Sequence, residues 1–253
     1  MSALESLMPP VQYADLGEVR MAYYEVGPRG VGVPIIFCHG FPELAFSWRH
    51  QLKACEAAGR WAIAPDQRGY GLTSRPEAVE AYDMEHLSGD LIRLMDKLGI
   101  EKAVFCGHDW GGIVVWQMPL RYPDRTAGVI GLNTPFMPRA PVDPITIMRA
   151  RFGEDMYIVH FQKPGEADKV LNANVAKAMG FFMRRPMAET PPASGGLSGS
   201  LTGSAETSAT PESNFALVKM LELYDPSVDP RPTLLTDDEM AAFVETFERT
   251  GFT

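Results

Sequence analysis

Four short runs of the chain consist almost wholly of apolar residues, and they predict buried β-strands. They cover residues 34–38, 61–65, 103–106 and 127–132. Strands that lack an alternation of apolar and polar residues are typical of parallel sheets covered by helices on both faces. A further segment, residues 11–27, carries β-favouring residues on both sides of a turn and predicts an opening hairpin.

An amphipathic helix is predicted between the second and third of these runs. From Met84 to Leu98, apolar residues recur at steps of three and four, and Gly99 follows. This spacing places them on one helical face, and a glycine is a common residue just past a helix end. The resulting order of strand, helix and strand indicates an α/β fold with a doubly wound sheet.

The character of the chain changes after Asn133, where the predicted strands stop and proline, methionine and aromatic residues become frequent. We interpret residues 1–138 as an α/β core and residues 139–253 as a separate helical cap. Within the cap, residues 191–213 are dominated by Ser, Gly, Thr, Ala and Pro. Such a composition cannot bury enough apolar surface to offset the entropy of ordering, so we expect a flexible loop there.

Two helices are predicted after that loop. One covers residues 214–223, and the other begins at Thr236. Thr236 and Glu239 have the spacing of a capping box, Met240, Phe243 and Phe247 mark a buried stripe, and Gly251 stands where a C-cap belongs.

Composition and charge restrict the kinds of partner. The 253 residues are 45% hydrophobic and 22% charged, with a formal net charge of -9 and a pI near 5.1. An acidic surface opposes binding to nucleic acid or to an anionic membrane, so we expect a small neutral substrate. The chain begins without a signal-peptide pattern, and no apolar run approaches the ~18 residues of a membrane span, which predicts a cytoplasmic protein.

The three cysteines are expected to be reduced and structural. Cys38, Cys55 and Cys106 lie in or beside apolar segments, and their spacing is not that of a disulfide framework or a metal site. We therefore expect no metal and no cofactor.

The segment 107–112 reads Gly-His-Asp-Trp-Gly-Gly and directly follows the apolar run at 103–106. Small residues on both sides of a sharp strand-to-helix turn leave the central side chain, here Asp109, exposed at the end of the strand. A carboxylate in that place attacks an electrophilic carbon and forms an ester, which water then cleaves. The alternative, on the residues alone, is that Asp109 only caps the following helix.

A second loop is expected to face this elbow. Residues 39–43 read His-Gly-Phe-Pro-Glu and follow the run at 34–38. In such an architecture the main-chain amides of Phe41 and Trp110 hold the oxyanion that forms when water attacks an ester at Asp109. We interpret His39 as ordering the loop through hydrogen bonds, and His108 likewise as a structural residue.

Taken together, these stretches resemble the epoxide hydrolases of the α/β-hydrolase superfamily over nearly the whole chain. The resemblance rests on residues 39–43, 64–71 and 107–112 and on a stretch of the predicted cap, residues 157–168. It implies an α/β-hydrolase fold, with a mostly parallel doubly wound sheet and a helical cap. It also implies that the substrates are a small lipophilic epoxide and water.

The resemblance implies a role for particular residues. In similar enzymes the elbow aspartate opens the epoxide by backside displacement, which makes Asp109 the nucleophile. Tyr157 occupies the position of a cap tyrosine that donates a hydrogen bond to the epoxide oxygen, and a phenol with an ordinary pKa of about 10 is suited to this. The residues expected to line the substrate site are Phe41, Pro42, Trp110, Ile113 and Tyr157.

The chain departs from the family's pattern in the second half-reaction, where a histidine held by a carboxylate activates water. No histidine follows His160, and Asn133 occupies a position that carries the acid in some relatives. We therefore expect these residues to be the N-terminal part of an epoxide hydrolase that lacks the last core strands and helices. The open sheet edge is then expected to cause aggregation, or to be covered by a complementing C-terminal segment or a homo-oligomer.

Two other functions remain open on the sequence. Haloalkane dehalogenases share the aspartate elbow and often the tryptophan after it, although Phe41 and the stretch around Tyr157 favour epoxide hydrolysis. Because the sequence lacks the histidine and the acid that the family uses in the second half-reaction, it also leaves open a catalytically incomplete fragment or a non-catalytic relative.

Overall fold

The computed structural model describes residues 3–185 and 216–252. The chain divides into two compact units, Met1–Pro138 and Arg139–Thr253. The loop predicted at 191–213 lies outside the described residues. None of the helices in the described part of the chain is long and apolar enough to cross a bilayer.

The first unit is built around one six-stranded sheet. Its strands are β1 (Gln12–Asp15), β2 (Arg20–Val26), β3 (Ile35–Cys38), β4 (Ala62–Pro65), β5 (Ala103–His108) and β6 (Thr126–Leu132). They lie in the order β1-β2-β4-β3-β5-β6. The predicted hairpin is confirmed as the antiparallel pair β1 and β2, and β2 also pairs antiparallel with β4. The remaining neighbours pair in parallel, which confirms the parallel sheet expected from the four apolar runs.

Helices connect the strands of this unit. The predicted helix is confirmed: the carboxylate of Asp83 accepts a hydrogen bond of 2.8 Å from the amide of His86 at its start, and Gly99, with a φ of 68°, ends it. A left-handed residue at a helix end favours glycine because other residues pay a steric cost there. The α-helices are α1 (Ala3–Leu7), α2 (Arg49–Ala57), α3 (Met84–Leu98) and α4 (Trp110–Arg121), and short 3-10 turns lie at Ala45–Trp48, Val79–Tyr82 and Pro123–Arg125.

The hydrophobic core joins the sheet to α3 and α4. Ile36, Ile63 and Phe105, on three neighbouring strands, are completely buried. Leu94 of α3 and Val115 of α4 belong to the same cluster and are equally buried. Burial of one such side chain contributes about 1.5–3 kcal/mol to the free energy of unfolding. The core therefore fixes the carboxyl end of β5, where α4 begins.

A buried ion-pair network fastens the loop that follows β4. The guanidinium of Arg68, which is 1% exposed, donates two hydrogen bonds of 2.8 Å to the carboxylate of Asp90 in α3. It also donates to the carboxylate of Glu18, in the hairpin turn, at 3.1 Å. Paired hydrogen bonds between a guanidinium and a carboxylate fix both distance and orientation. Three segments that are distant in sequence are thus held to one another.

Strand β6 lies at the edge of the sheet. It pairs with β5 along its length, and its other edge faces no strand among the described residues. Ile130 and Leu132 project from the same face of β6, because side chains two positions apart in a strand share a face. They are 44% and 41% exposed. An apolar, unpaired edge of this kind is able to pair with another chain.

The second unit is helical where the structure describes it, apart from one isolated antiparallel bridge between Arg184 and Thr233. The capping box is confirmed: the hydroxyl of Thr236 accepts from the amide of Glu239, whose carboxylate accepts from the amide of Thr236. In the predicted buried stripe, Phe243 and Phe247 are buried and Met240 is half-buried. Its helices are α5 (Pro144–Phe152), α6 (Tyr157–His160), α7 (Glu166–Ala173), α8 (Val175–Phe182), α9 (Leu217–Leu223) and α10 (Asp237–Thr250).

Candidate active site

Asp109 is the single residue that connects the end of β5 to the start of α4. Its backbone has φ 53° and ψ -124°, and Asn133 is the other non-glycine residue with a positive φ in the described part of the chain. Holding a residue other than glycine in such a conformation costs about 1–3 kcal/mol, and such strain concentrates at functional sites. The predicted strand-to-helix elbow is therefore present, with its carboxylate at the carboxyl end of β5, which lies between β3 and β6.

Glycines make room for this turn. A Cβ atom on Gly107 would clash with the carbonyl oxygen of Gly111, and one on Gly111 would clash with the carbonyl oxygen of Cys38 in β3. A Cβ atom on Gly40 would clash with the side chain of Asp109. The elbow thus packs against the end of β3 so closely that no side chain fits between them.

The loop after β3 places a hydrogen-bond donor against the carboxylate. The main-chain amide of Phe41 donates to Oδ1 of Asp109 at 3.0 Å, and the peptide bond from Phe41 to Pro42 is cis. Trp110 is the first residue of α4, so its amide is one of the helix N-terminal donors that have no acceptor within the helix. The positive end of the helix dipole favours negative charge at this place.

His39 orders the loop, as the sequence predicts. Its ring is fully buried, and Nε2 accepts a hydrogen bond from the amide of Gln67 at 3.0 Å. Nε2 therefore carries no proton, and Nδ1 is the nitrogen that donates to the carbonyl of Gly40, also at 3.0 Å. Burial lowers the pKa of His39 more than the nearby carboxylates raise it. The neutral ring thus ties the loop after β4 to the loop after β3.

His108 joins the elbow to the same loop through Glu43. Its Nδ1 lies 3.1 Å from Oε2 of Glu43, and that oxygen also accepts from the amide of Gly40 at 3.4 Å. The hydrogen bond to Glu43 raises the pKa of His108 above its ordinary value. Burial alone would raise the pKa of Glu43, but the bond to His108 and the charge of that ring outweigh it and lower the pKa. The sequence indicated a structural role for His108 and did not indicate its partner.

Tyr70 is a neighbour of the site that sequence reasoning missed. Its ring meets that of His39 edge-on, with 4.9 Å between the centroids. Burial, and after it the negative charge of Asp109, raise the pKa of Tyr70. The phenol is therefore neutral at physiological pH. The sequence did offer a signal for Tyr70. The residue lies five positions after a predicted buried strand, in one of the stretches that carry the family resemblance.

Thr134 is the second residue that the sequence did not single out. It is 8% exposed, and its hydroxyl donates to the carbonyl oxygen of Asp109 at 3.1 Å. Its own carbonyl accepts from the indole N–H of Trp116 at 2.8 Å. The only signal in the sequence was a polar residue just past the end of a predicted strand. Its place beside the elbow follows from the pairing of β5 with β6.

The other predicted residues occupy two separate units. In the first, Pro42 is buried, Trp110 is 40% exposed, and Ile113 is half-buried and donates from its amide to the carbonyl of Asp109 at 3.2 Å. Trp110 directly follows Asp109 in the chain, and Pro42 follows the residue whose amide holds the carboxylate of Asp109. In the second unit, Tyr157 is half-buried at the start of α6, where its ring meets that of Phe161 edge-on with 5.9 Å between the centroids.

The cysteines of the chain are not joined in disulfide bonds. All three cysteines are free thiols, with Cys38 and Cys106 buried. Burial raises the pKa of Cys106 to about 11, so it stays a thiol at neutral pH. Over residues 3–185 and 216–252, no three or more His, Cys, Asp or Glu side chains are grouped so as to hold a metal ion.

Several known proteins with similar sequences are epoxide hydrolases. Residues 33–225 match the family model of the alpha/beta hydrolase fold. Epoxide hydrolase A of Mycobacterium tuberculosis is 43% identical over 253 aligned residues, which cover 97% of this chain and 71% of that protein. Bifunctional epoxide hydrolase 2 of Mus musculus is 37% identical over 235 residues, which cover 92% of this chain and 38% of that protein.

Solved structures give the same result. Epoxide hydrolase A from Mycobacterium thermoresistibile superposes with a TM-score of 0.79 at 38% identity, over 97% of this chain and 72% of that one. An epoxide hydrolase from Vigna radiata superposes with a TM-score of 0.77 at 32% identity, over 99% of this chain and 71% of that one. The predicted α/β-hydrolase fold is thereby confirmed.

Proposed function

This chain belongs to the epoxide hydrolases of the α/β-hydrolase family, and from that membership we propose that it opens an epoxide through an ester at Asp109. The names of its relatives support epoxide hydrolysis as the activity. One observation carries the choice of Asp109: its carboxylate stands at a strained elbow with Oδ1 held by the amide of Phe41 at 3.0 Å. A residue that only caps a helix requires neither a strained backbone nor a hydrogen bond from the amide of a distant loop.

The first half-reaction forms a bond to carbon. Because Oδ1 is held by the Phe41 amide, Oδ2 is the oxygen that attacks the epoxide carbon from the side opposite the ring oxygen. The carbon–oxygen bond of the ring breaks as the ester bond forms, and its electron pair goes to the ring oxygen. The alkoxide then takes a proton, which leaves a β-hydroxyalkyl ester on Asp109.

We propose Tyr157 as the donor of that proton. A phenol is a hydrogen-bond donor at neutral pH, and with an ordinary pKa of about 10 it is a stronger acid than water and can give a proton to the developing alkoxide. The support for this role is the match of residues 157–168 to the family's pattern. Phe41, Pro42, Trp110, Ile113 and Tyr157 are proposed to line the site, where apolar walls favour a lipophilic epoxide.

The second half-reaction adds water to the carbonyl carbon of the ester. The amides of Phe41 and Trp110 are proposed to stabilise the oxyanion, and collapse of the intermediate breaks the ester bond and restores the carboxylate. Of the two protons of the water, one goes to the departing alkoxide, which completes the diol, and the other restores the phenol of Tyr157. The two histidines beside the elbow are poorly suited as the base. Both nitrogens of His39 are engaged, and a raised pKa favours the protonated form of His108. We therefore propose that ester cleavage is the slower step in this chain.

Mass spectrometry of the protein after incubation with styrene oxide tests the proposal. We expect a covalent adduct on the peptide that contains Asp109, because the ester forms faster than it is cleaved. Asp109→Asn is expected to carry no adduct. Asp124→Asn removes an exposed aspartate of the same unit and is expected to behave like the parent.

Two results would overturn the proposal. One is diol formation at the parental rate by Asp109→Asn. The other is release of halide from 1-bromobutane without opening of styrene oxide, which would assign the site to dehalogenation instead.

A further inference from the structure

The conformation of Asp109 needs support from outside its own turn. The residue is not glycine, yet its φ is 53° and its ψ is -124°. Its carbonyl oxygen accepts the first hydrogen bond of α4, from the amide of Ile113 at 3.2 Å. That bond is part of the helix and would form at many backbone angles of Asp109, the residue that precedes the helix. A second acceptor position on the same oxygen remains for a group that fixes the orientation.

Thr134 occupies that second position. Its hydroxyl donates to the carbonyl oxygen of Asp109 at 3.1 Å, across 25 residues of sequence. The partner comes from the turn after β6, whose last residue, Leu132, pairs with His108 in β5. The two non-glycine residues with positive φ in the described chain, Asp109 and Asn133, therefore lie at matching ends of neighbouring strands, with Thr134 connecting them.

The surroundings of Thr134 hold its hydroxyl in place. The indole N–H of Trp116, in α4, donates to its carbonyl oxygen at 2.8 Å. A Cβ atom added to Gly112 would lie 2.6 Å from the Cβ of Thr134, and one added to Gly131 would lie 2.6 Å from its carbonyl oxygen. Thr134 therefore packs so closely against these two glycines that neither position accepts a side chain.

We propose that Thr134 is a positioning residue for Asp109. By fixing the carbonyl of Asp109, its hydroxyl sets the backbone angles from which the carboxylate projects toward the Phe41 amide and the substrate. It acts through Asp109 and does not touch the reacting atoms. This inference rests on the proposed function, because it assigns Thr134 to the step in which Asp109 attacks.

The test compares the rate at which the ester forms in single-turnover experiments with styrene oxide, followed by mass spectrometry of the Asp109 peptide. Thr134→Val keeps the shape of the side chain and removes the donor, and we expect it to slow ester formation roughly five- to tenfold, as loss of one hydrogen bond implies. Thr134→Ser keeps the donor and is expected to stay within about twofold of the parent. The epoxide concentration that gives half the maximal rate is expected to be unchanged.

A matched control separates positioning from general destabilisation. Thr126→Val removes another hydroxyl bonded to a main-chain carbonyl, that of Tyr122 at 2.9 Å, at the opposite end of β6. It is expected to leave the rate of ester formation unchanged. A residue that only stabilised the fold would, when replaced, lower the unfolding temperature and leave the single-turnover rate of the folded protein intact.

The outcomes distinguish failure of the proposed function from failure of the role of Thr134. If the parent forms no adduct on Asp109, the proposed function fails. If the parent forms the adduct and Thr134→Val forms it equally fast, only the role of Thr134 fails. Should Thr134→Val not fold, Trp116→Phe takes its place: it removes the donor to the Thr134 carbonyl and is expected to slow ester formation roughly two- to fivefold. A parental rate in Trp116→Phe would then overturn the inference.

Discussion

The main-chain amide of Phe41 donates a hydrogen bond of 3.0 Å to Oδ1 of Asp109, from a loop that lies 68 residues earlier in the chain. This contact distinguishes the two carboxylate oxygens, because Oδ1 is held by the backbone and, in the proposed mechanism, Oδ2 attacks the substrate. It also makes the geometry of the loop after β3 a part of the proposed chemistry. Substitutions in that loop are therefore expected to affect catalysis more than substitutions of similar size elsewhere.

Gly40→Ala is expected to abolish most activity. The new Cβ would clash with the carboxylate and Cβ of Asp109, so the loop or the elbow must move. Overpacking of this kind also lowers the free energy of unfolding by about 1–3 kcal/mol. The measurements are diol formation and urea-induced unfolding. Gly128→Ala is the matched control, because its Cβ would meet only the Val104 side chain at 3.8 Å. Parental activity in Gly40→Ala would contradict the close packing of loop and elbow.

Glu43→Gln is expected to lower stability in a pH-dependent way. The folded protein raises the pKa of His108 from 6.5 and lowers that of Glu43 from 4.5. The contribution from His108 is complete below its unfolded pKa and is lost as the pH rises through its folded pKa. The contribution from Glu43 is present above its unfolded pKa and is lost as the pH falls through its folded pKa. The pair therefore contributes most to the free energy of unfolding at pH values above the unfolded pKa of Glu43 and below the unfolded pKa of His108.

The measurement is the free energy of unfolding of the parent and of Glu43→Gln at about pH 6 and about pH 9. We expect a difference on the order of 1 kcal/mol at the lower pH, since the His108 ring is about one-third exposed, and a smaller difference at the higher pH. Glu101→Gln, at an exposed position of the same unit, is expected to show no such trend. An equal loss at both pH values would mean that the ion pair is not the cause.

Arg68→Met is expected to be among the most destabilising single substitutions in the first unit. It leaves the carboxylate of Asp90, which is 1% exposed, without its main partner. Breaking a buried pair in this way costs about 3–5 kcal/mol. Arg149→Met breaks an ion pair with Glu154 that is exposed at both ends and is expected to cost less than about 1 kcal/mol. Chemical denaturation measures both, and similar losses for the two variants would refute the ranking.

Tyr157→Phe is expected to slow formation of the ester by about 10²–10⁴-fold, the usual contribution of a positioned proton donor. The apolar part of the ring is retained, so epoxide binding is expected to change little. Single-turnover kinetics separate the two quantities. Tyr13→Phe, in β1 of the first unit, removes a phenol from a 39% exposed side chain and serves as the control. An unchanged rate in Tyr157→Phe would remove this residue from the mechanism.

Local sequence predicted those parts of the fold that local forces decide. The four apolar runs became the parallel strands β3 to β6, and Asp83 and Gly99 bound α3 as their residue types indicate. The elbow was predictable for the same reason, because glycines at 107 and 111 permit a turn that few other residues allow. In each case the decisive residues lie within a few positions of one another.

The supporting contacts of the site were not predictable in that way. Glu43 lies 65 residues from His108, Thr134 lies 25 from Asp109, and Arg68 lies 22 from Asp90. Their side chains meet only because the strand order places those loops side by side. A single sequence contains the polar residues but not the pairing. The role of Tyr157 stays a prediction, since it comes from the family resemblance.

The open side of β6 has a practical consequence for handling the protein. Ile130 and Leu132 lie on one exposed face, and no strand among residues 3–185 and 216–252 pairs with the outer edge of β6. Purification at high concentration is therefore expected to favour self-association. Ile130→Lys places a charge on this strand at a residue that has no assigned role in the chemistry. Because a lysine on an edge strand opposes the approach of a second strand, this substitution offers a well-behaved background for the kinetic comparisons.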